Sequence, residues 1–391
     1  MIKPKIAIII GGKFPTPKAY GVTVRETITV LLMDSYPTKV YCFQGSYDDK
    51  DFEGLTNNME FFRTNMISKV LIRIGERGTF FPNKFFWFLG FAYSLIRTLK
   101  SLRSYSPDIV WCRHPLIALF CVKALSNTKI VLEVHDKSSV FFHKLLLENK
   151  KYIYYFPINE ENRKFLNVVS PNIATNIAPM GVQSGNINNI DNVDLYLQSL
   201  SKKLSTNLQI GYVGKFAPQG YSKGVEDLIL LAKYYQSNGI QNRVSLIGGT
   251  QSDMNTYLNL QSELDIKKSY LEIKPHINHT EAMKLMKNFD VLVLPLPDNQ
   301  EYVGMPLKLI EYLASGRITI IANSELITGL FSQKFTPYQY IKGDIFSLHR
   351  TIQLATADDK LRQQIVLGLE FAAKFSWEFR TRQILSKVID A

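Results

Sequence analysis

The stretch EYVGMPLKLIEYLASG, Glu301 to Gly316, sets a lysine and a carboxylate at the opening of a helix whose other residues read as core. Pro306 suits the first helical turn, where its missing N–H leaves nothing unpaired. Gly316 suits the residue just past the last turn. The amides near Met305, Pro306, Leu307 and Lys308 then lack helical acceptors, and Lys308 adds a positive charge, an arrangement that seats an anion. Glu311 lies about one turn further on, near enough to reach a hydroxyl of the same ligand. A carboxylate accepts two hydrogen bonds at once and suits a ribose diol. The plainer alternative is an i,i+3 ion pair of Lys308 and Glu311 on a solvated face, contributing about 0.2–0.5 kcal/mol. Leu307, Leu309, Ile310, Leu313 and Ala314 leave little solvated face for it.

Other candidates stand at the ends of apolar runs. Lys215 follows LQIGYV, and Lys223-Gly224 precedes a helical run. An ammonium beside oriented amides suits a phosphate, although it opposes the helix dipole; solvated surface lysines are the alternative. Gly11 and Gly12 end the first run and Gly21 precedes a helix, positions where backbone N–H groups can approach a ligand or where the chain simply turns. Their spacing is not that of a nicotinamide-binding turn. His135 follows KIVLEV and His114 follows DIVWC. A histidine at a strand end is either a hydrogen-bonded structural residue or a reacting group. Asp49-Lys50-Asp51 imitates a metal-binding pair, but its charged loop reads as surface.

These residues must be held by elements, and the elements are legible. KIAIII, KVYCF, DIVWC, KIVLEV, LQIGYV, VSLIGG, YLEIK, DVLVLP and ITIIA are short apolar runs alternating with helical spacing, as in Val24–Met33 and Val225–Tyr235. Strands apolar on both faces and separated by helices predict parallel sheets covered on both sides. A chain of 391 residues exceeds one ordinary core and predicts two domains. The polar stretch Gly181–Asn207 reads as their connection, and a last helix spans Trp377–Ile389. The apolar and charged fractions, 46% and 20%, exclude a disordered chain. Cys42, Cys112 and Cys121 form neither a disulfide framework nor a metal-ligand spacing, which predicts reducing cytosol. MIKPKIAIIIGG is too short in its apolar run for a signal peptide, and Phe85–Ile96 is far short of a membrane span. The net charge of +12 would attract a phosphorylated ligand, a nucleic acid or an anionic membrane.

YVGKF…SKG, FDVLVLP, GMPLKLIEYLASG and FSWEFRTRQIL, with the glycine-rich first loop, EVHD and NIAPMGV, together resemble the retaining glycosyltransferases of family 4. The match spans most of the chain, in order. The resemblance implies the GT-B fold: two Rossmann-like α/β domains with parallel sheets facing across a cleft. The expected domains are 1–180 for the acceptor, 181–370 for the nucleotide sugar, and 371–391 as a helix crossing back to the first. It implies that Lys215 and Lys223 hold the donor diphosphate, that Pro306, Leu307 and Lys308 cradle it with their backbone, and that Glu311 holds the ribose. His135 becomes the catalytic residue near the reacting sugar. Gly12, Gly21, Glu301 and Met305 become contacts to donor sugar or acceptor. The family often carries two glutamates eight positions apart; anchored on EYLASG, Glu311 is the second and the first falls on Val303, whereas anchored on GMP, Glu301 is the first and the second falls on Leu309. No cofactor and no metal are expected.

The expected partners are a UDP- or GDP-sugar donor and a glycan or polyprenyl-linked acceptor, as in cell-surface polysaccharide or glycolipid synthesis. Phe61–Tyr105 holds eight basic residues, one acidic residue and eleven aromatics. That composition predicts contact with an anionic membrane surface, hence a cytoplasmic protein peripheral to the inner face of the membrane. The aromatics cluster in one segment and follow no basic groove, so nucleic acid is not an expected partner. An epimerase or hydrolase of the same fold, or a non-catalytic nucleotide-sugar binder, is the alternative.

Overall fold

The computed structural model describes residues 3–14, 19–44, 60–63, 81–135, 137, 140–147, 152–171, 173–203, 207–216, 223–296, 307–324, 331 and 335–390. The chain divides into two compact units, Met1–Met180 with Trp377–Ala391, and Gly181–Ser376.

Among the described residues the first domain holds six parallel strands: β1 (Ile6–Lys13), β2 (Thr38–Gln44), β3 (Glu60–Arg63), β4 (Ile109–Cys112), β5 (Lys129–Val134) and β6 (Ile153–Pro157). Their order across the sheet is β3-β2-β1-β4-β5-β6. β1 shows why it is a central strand. Ile6, Ile8 and Ile10 pack on one face, against Val24, Ile28 and Leu31 of the helix Ala19–Met33 and Ile384, Leu385 and Val388 of the helix Trp377–Ile389. Ala7 and Ile9 pack on the other, with Phe91, Leu95 and Leu102 of the helix Phe81–Tyr105. A strand of period two buried on both faces needs this continuous apolar run. The last helix is tied down by a two-pronged ion pair from Arg382 to Asp34 at 2.8 and 2.9 Å and by Lys129 Nζ, which donates to the Val388 carbonyl at 2.8 Å. Residues 371–373, expected in that crossing segment, instead end the second domain's helix Leu361–Ala373.

The second domain repeats the plan with β7 (Gln209–Val213), β8 (Arg243–Gly249), β9 (Leu271–Pro275), β10 (Val291–Leu294), β11 (Ile318–Ala322) and β12 (Tyr338–Tyr340), ordered β12-β11-β10-β7-β8-β9. Numbered within its own sheet, each domain follows the doubly wound order 3-2-1-4-5-6. Such sheets bind ligands outside the carboxyl ends of the strands, where the winding reverses. That point lies between β1 and β4 in the first domain and between β7 and β10 in the second.

The polar stretch expected as a connection contains a helix, Ile190–Ser201, capped by Asn189. Only Val193, Tyr196 and Leu200 are buried along it, the minimum apolar stripe for a helix.

Candidate functional site

In the second domain the helix Leu307–Ala314 follows β10. Its Leu309, Ile310, Tyr312, Leu313 and Ala314 are buried. Gly316 ends it at φ +65°, and a side chain there would crowd Asn188 and Val193 at 3.1 Å. Asn188 in turn donates to the Ser315 carbonyl at 3.0 Å, so the end of the helix is fixed. Tyr312 hydrogen-bonds both backbone groups of Val213, at 2.8 and 3.3 Å, and joins the helix to the end of β7.

Glu311 is 2% exposed. Its Oε1 lies 2.9 Å from His279 Nε2 and its Oε2 lies 2.6 Å from Lys308 Nζ. Burial raises its pKa, but the Lys308 ammonium and the His279 imidazole outweigh burial and hold the carboxyl below its usual range. It is therefore an anion at neutral pH, and His279 Nε2 must donate to it. Oε2 is paired with the Lys308 ammonium, and a carboxylate oxygen keeps a second lone pair beyond that contact. A buried carboxylate oxygen with acceptor capacity left is a place for a ligand hydroxyl.

Around this pair the backbone is bare. A Cβ on Gly214 would lie 3.1 Å from the Tyr212 hydroxyl and 3.4 Å from Lys308 Cε. One on Gly248, at φ +130°, would lie 2.1 Å from the Gly214 carbonyl oxygen. β8 gains one residue against β9 between Ile247 and Gly249, a bulge placed at this glycine. Lys215 is exposed, and its carbonyl accepts from Tyr212 at 2.8 Å. Lys223 is half-buried, which lowers its pKa, and its backbone N–H donates to the Phe216 carbonyl at 2.8 Å. Gly224, at φ +75°, comes so near the end of β10 that a Cβ would lie 3.0 Å from the Leu296 carbonyl oxygen. No side chain caps the start of the next helix, Glu226–Ser237.

In the first domain a cavity of about 410 Å³ opens at the β1/β4 reversal, lined by Gly11, Gly12, Trp111, Arg113, His135 and neighbouring apolar residues. β1 carries a register shift between Ile10 and Lys13, so a bulge at the glycines shapes its rim. Behind His135 lies Glu133, 1% exposed, with Arg113, Trp111 and Arg380 all directed at its carboxylate. His114 caps the helix Pro115–Ala124, its Nδ1 accepting from Leu116 N–H at 3.3 Å.

The structure thus gathers Lys308, Glu311 and the Gly214-Lys215 turn in one place, with Leu307 opening the same helix. Lys223 stands against the end of the strand that feeds this helix. Gly12 and His135 share the first-domain cavity. Gly21 lies within the helix Ala19–Met33, about one turn before Val24 of the cavity lining, and is not itself part of that lining. Glu301, Val303, Met305 and Pro306 lie outside the described residues. Sequence reading passed over His279, Gly248, Glu133 and Arg380, although Glu133 stands two residues before His135.

Residues 198–366 match the family Glycosyl transferases group 1. This group 1 segment contains Lys215, Lys223, Gly248, His279, Lys308 and Glu311. Over the whole chain the fold is similar to that of HepE from Anabaena, solved in complex with UDP, at TM-score 0.66 and 13% identity over 99% of this chain and 100% of that one. It is similar to a glycosyltransferase from Rickettsia africae at TM-score 0.69 and 12% identity, covering 99% and 98%. It is similar also to the sucrose-phosphate synthase of Thermosynechococcus elongatus at TM-score 0.64 and 16% identity, covering 99% of both. At these identities the likeness shows the fold, which is GT-B. A search of curated proteins found no match.

Proposed function

We propose that this protein is a retaining glycosyltransferase resembling family 4. It would move a hexosyl group from a UDP- or GDP-sugar to a glycan or polyprenyl-linked acceptor, without a metal. The observation that carries the reading is the buried, ionised Glu311 beside Lys308 at the mouth of a helix, within the group 1 segment. Oε2 of Glu311 accepts from the ribose. The first-turn amides at Leu307 and Lys308, with Lys215 and Lys223, hold the diphosphate. The missing side chain of Gly214, beside Lys308, lets it approach. When the bond between the sugar's anomeric carbon and the phosphate oxygen breaks, these cations and amides stabilise the charge left on the diphosphate. The acceptor hydroxyl forms the new bond from the same face, and its proton passes to the departing phosphate oxygen. His135, with Gly12 at the first-domain cavity, orients the reacting sugar or stabilises its oxocarbenium-like state.

The test is a calorimetric panel of UDP, GDP and ADP with their sugars, followed by assay of nucleotide release with and without acceptor glycans. Binding of one nucleotide class and acceptor-dependent release are expected. Release independent of acceptor would identify a hydrolase or epimerase, and binding without release an inert binder. Lys223→Ala is expected to raise the donor KM about tenfold, the value of one charge-assisted hydrogen bond. Unchanged kinetics would remove Lys223 from the site.

We further propose that the first domain docks on anionic membranes. No described helix is long and apolar enough to cross one. The helix Phe81–Tyr105 buries Phe91, Leu95 and Leu102 and exposes Phe85, Phe88, Leu89, Tyr93 and Ile96 on another face, continued by exposed Lys100 and Arg103. Apolar bulk leading into cations on one stripe suits a lipid interface. Residues 64–80, the part of the basic aromatic stretch between β3 and this helix, lie outside the described residues. Phe85→Asp with Phe88→Asp should abolish co-flotation with anionic vesicles and leave circular dichroism unchanged. Co-flotation retained by the double variant would rule this face out.

A further inference from the structure

The carboxylate of Glu133 receives five donor contacts. Trp111 Nε1 at 2.8 Å and Arg380 Nη1 at 3.0 Å reach Oε1. Arg113 Nε at 3.1 Å and Nη2 at 3.0 Å, with His135 Nε2 at 2.8 Å, reach Oε2. Arg380 is itself 2% exposed and is held by the carbonyls of Pro179 at 2.8 Å and Ala178 at 3.3 Å. A carboxylate so bound cannot turn or accept a proton without losing a donor. Burial raises the Glu133 pKa, but the guanidinium groups of Arg380 and Arg113 hold it well below the carboxylate range. Burial and Arg113 also keep His135 below its usual pKa, against the pull of Glu133.

An ionised carboxylate only accepts, so Nε2 of His135 must donate. In a neutral imidazole the other nitrogen, Nδ1, is then an acceptor. We infer that Glu133, locked by Arg380 from the returning C-terminal helix, is a positioning residue that fixes His135 as the Nε2–H tautomer and reserves Nδ1 to accept a hydroxyl in the first-domain cavity. The inference rests on the transfer reading for its purpose, and on the contacts above for its geometry. A carboxylate bonded to one ring nitrogen of a histidine fixes both ring orientation and tautomer.

The test uses the full chain, labelled with nitrogen-15 at its six histidines, with His135 assigned by the resonance lost in His135→Gln. At pH 7.5 and without substrate, wild type is expected to show His135 protonated at Nε2 alone. Glu133→Gln, whose amide can both donate and accept, should give a mixture of tautomers. Its kcat should fall about ten- to a hundredfold, with donor KM changed less than twofold. Arg380→Met should shift the His135 signals in the same sense. Arg382→Ala, which loosens the same helix without touching Glu133, should leave them in place. His135 protonated at Nδ1 in wild type would overturn the inference, as would an unchanged tautomer in Glu133→Gln. The wild-type spectrum decides the matter even if Glu133→Gln does not fold. A pure Nε2–H tautomer in a protein that transfers no sugar would sustain the positioning and sink the transfer reading instead.

Discussion

Gly248→Ala is expected to destabilise the second domain by about 3 kcal/mol or more, at the upper end for forced overpacking, and to leave little folded protein at 37 °C. The added carbon would sit 2.1 Å from the Gly214 carbonyl oxygen, and φ +130° is strained for any L side chain. The obstacle is backbone on both sides, so no rotamer relieves it. Relief would need β7 and β8 to part at the point where Gly214 turns toward Lys308, so any folded fraction should bind nucleotide poorly. Thermal denaturation by circular dichroism with UDP titration reads both effects. A melting temperature within a degree or two of wild type would show that the close approach of Gly214 and Gly248 is not held in solution.

Glu311→Gln should separate binding from stability. The amide keeps the shape of the carboxyl and loses its charge. Lys308 and His279 keep some access to water, with side chains 30% and 38% exposed, so neither donor is stranded. The expected stability loss is therefore moderate, about 1–3 kcal/mol. Affinity for the nucleotide should fall about tenfold to a hundredfold, since a hydroxyl donating to a carboxylate is a charge-assisted bond; calorimetry measures it. Acid adds a second signature. The Glu311 carboxyl titrates lower when folded than its unfolded value of 4.5. It therefore stabilises the fold above pH 4.5, and that contribution is lost as pH falls through the folded value. The Gln variant should lack this part of the acid loss. Nucleotide affinity equal to wild type would take Glu311 out of the ribose contact.

The central strands were legible because each is buried on both faces and must be an apolar run. Three of the described strands escaped, and all lie at sheet edges. Tyr338–Tyr340 fully buries only Tyr340, so it leaves no run to find. Glu60–Arg63 is four residues long, and Ile153–Pro157 is built on tyrosines without a β-branched repeat. The helix Ile190–Ser201 was hidden by the asparagines and aspartates that cap and solvate it. At the candidate site, Lys308 and Glu311 stood out because charge in an apolar helix needs a reason. Their partner His279 is 32 residues away, and Arg380 is 247 residues from Glu133. Pairings over such separations exist only once the sheets have formed. Gly248 was readable as the end of a strand but not as a contact, since its neighbour Gly214 belongs to another strand.

The discontinuity of the first domain has a consequence for biosynthesis. Arg380 leaves the ribosome after the whole of Gly181–Ser376, so the early half waits through the synthesis and folding of an entire second domain with Glu133 lacking one of its two guanidinium partners. Nascent chains stalled before the last helix emerges should expose the apolar groove of Val24, Ile28 and Leu31 that this helix covers, and recruit chaperones there. A premature stop codon just after Ser376 would then disable a histidine encoded some 240 codons upstream.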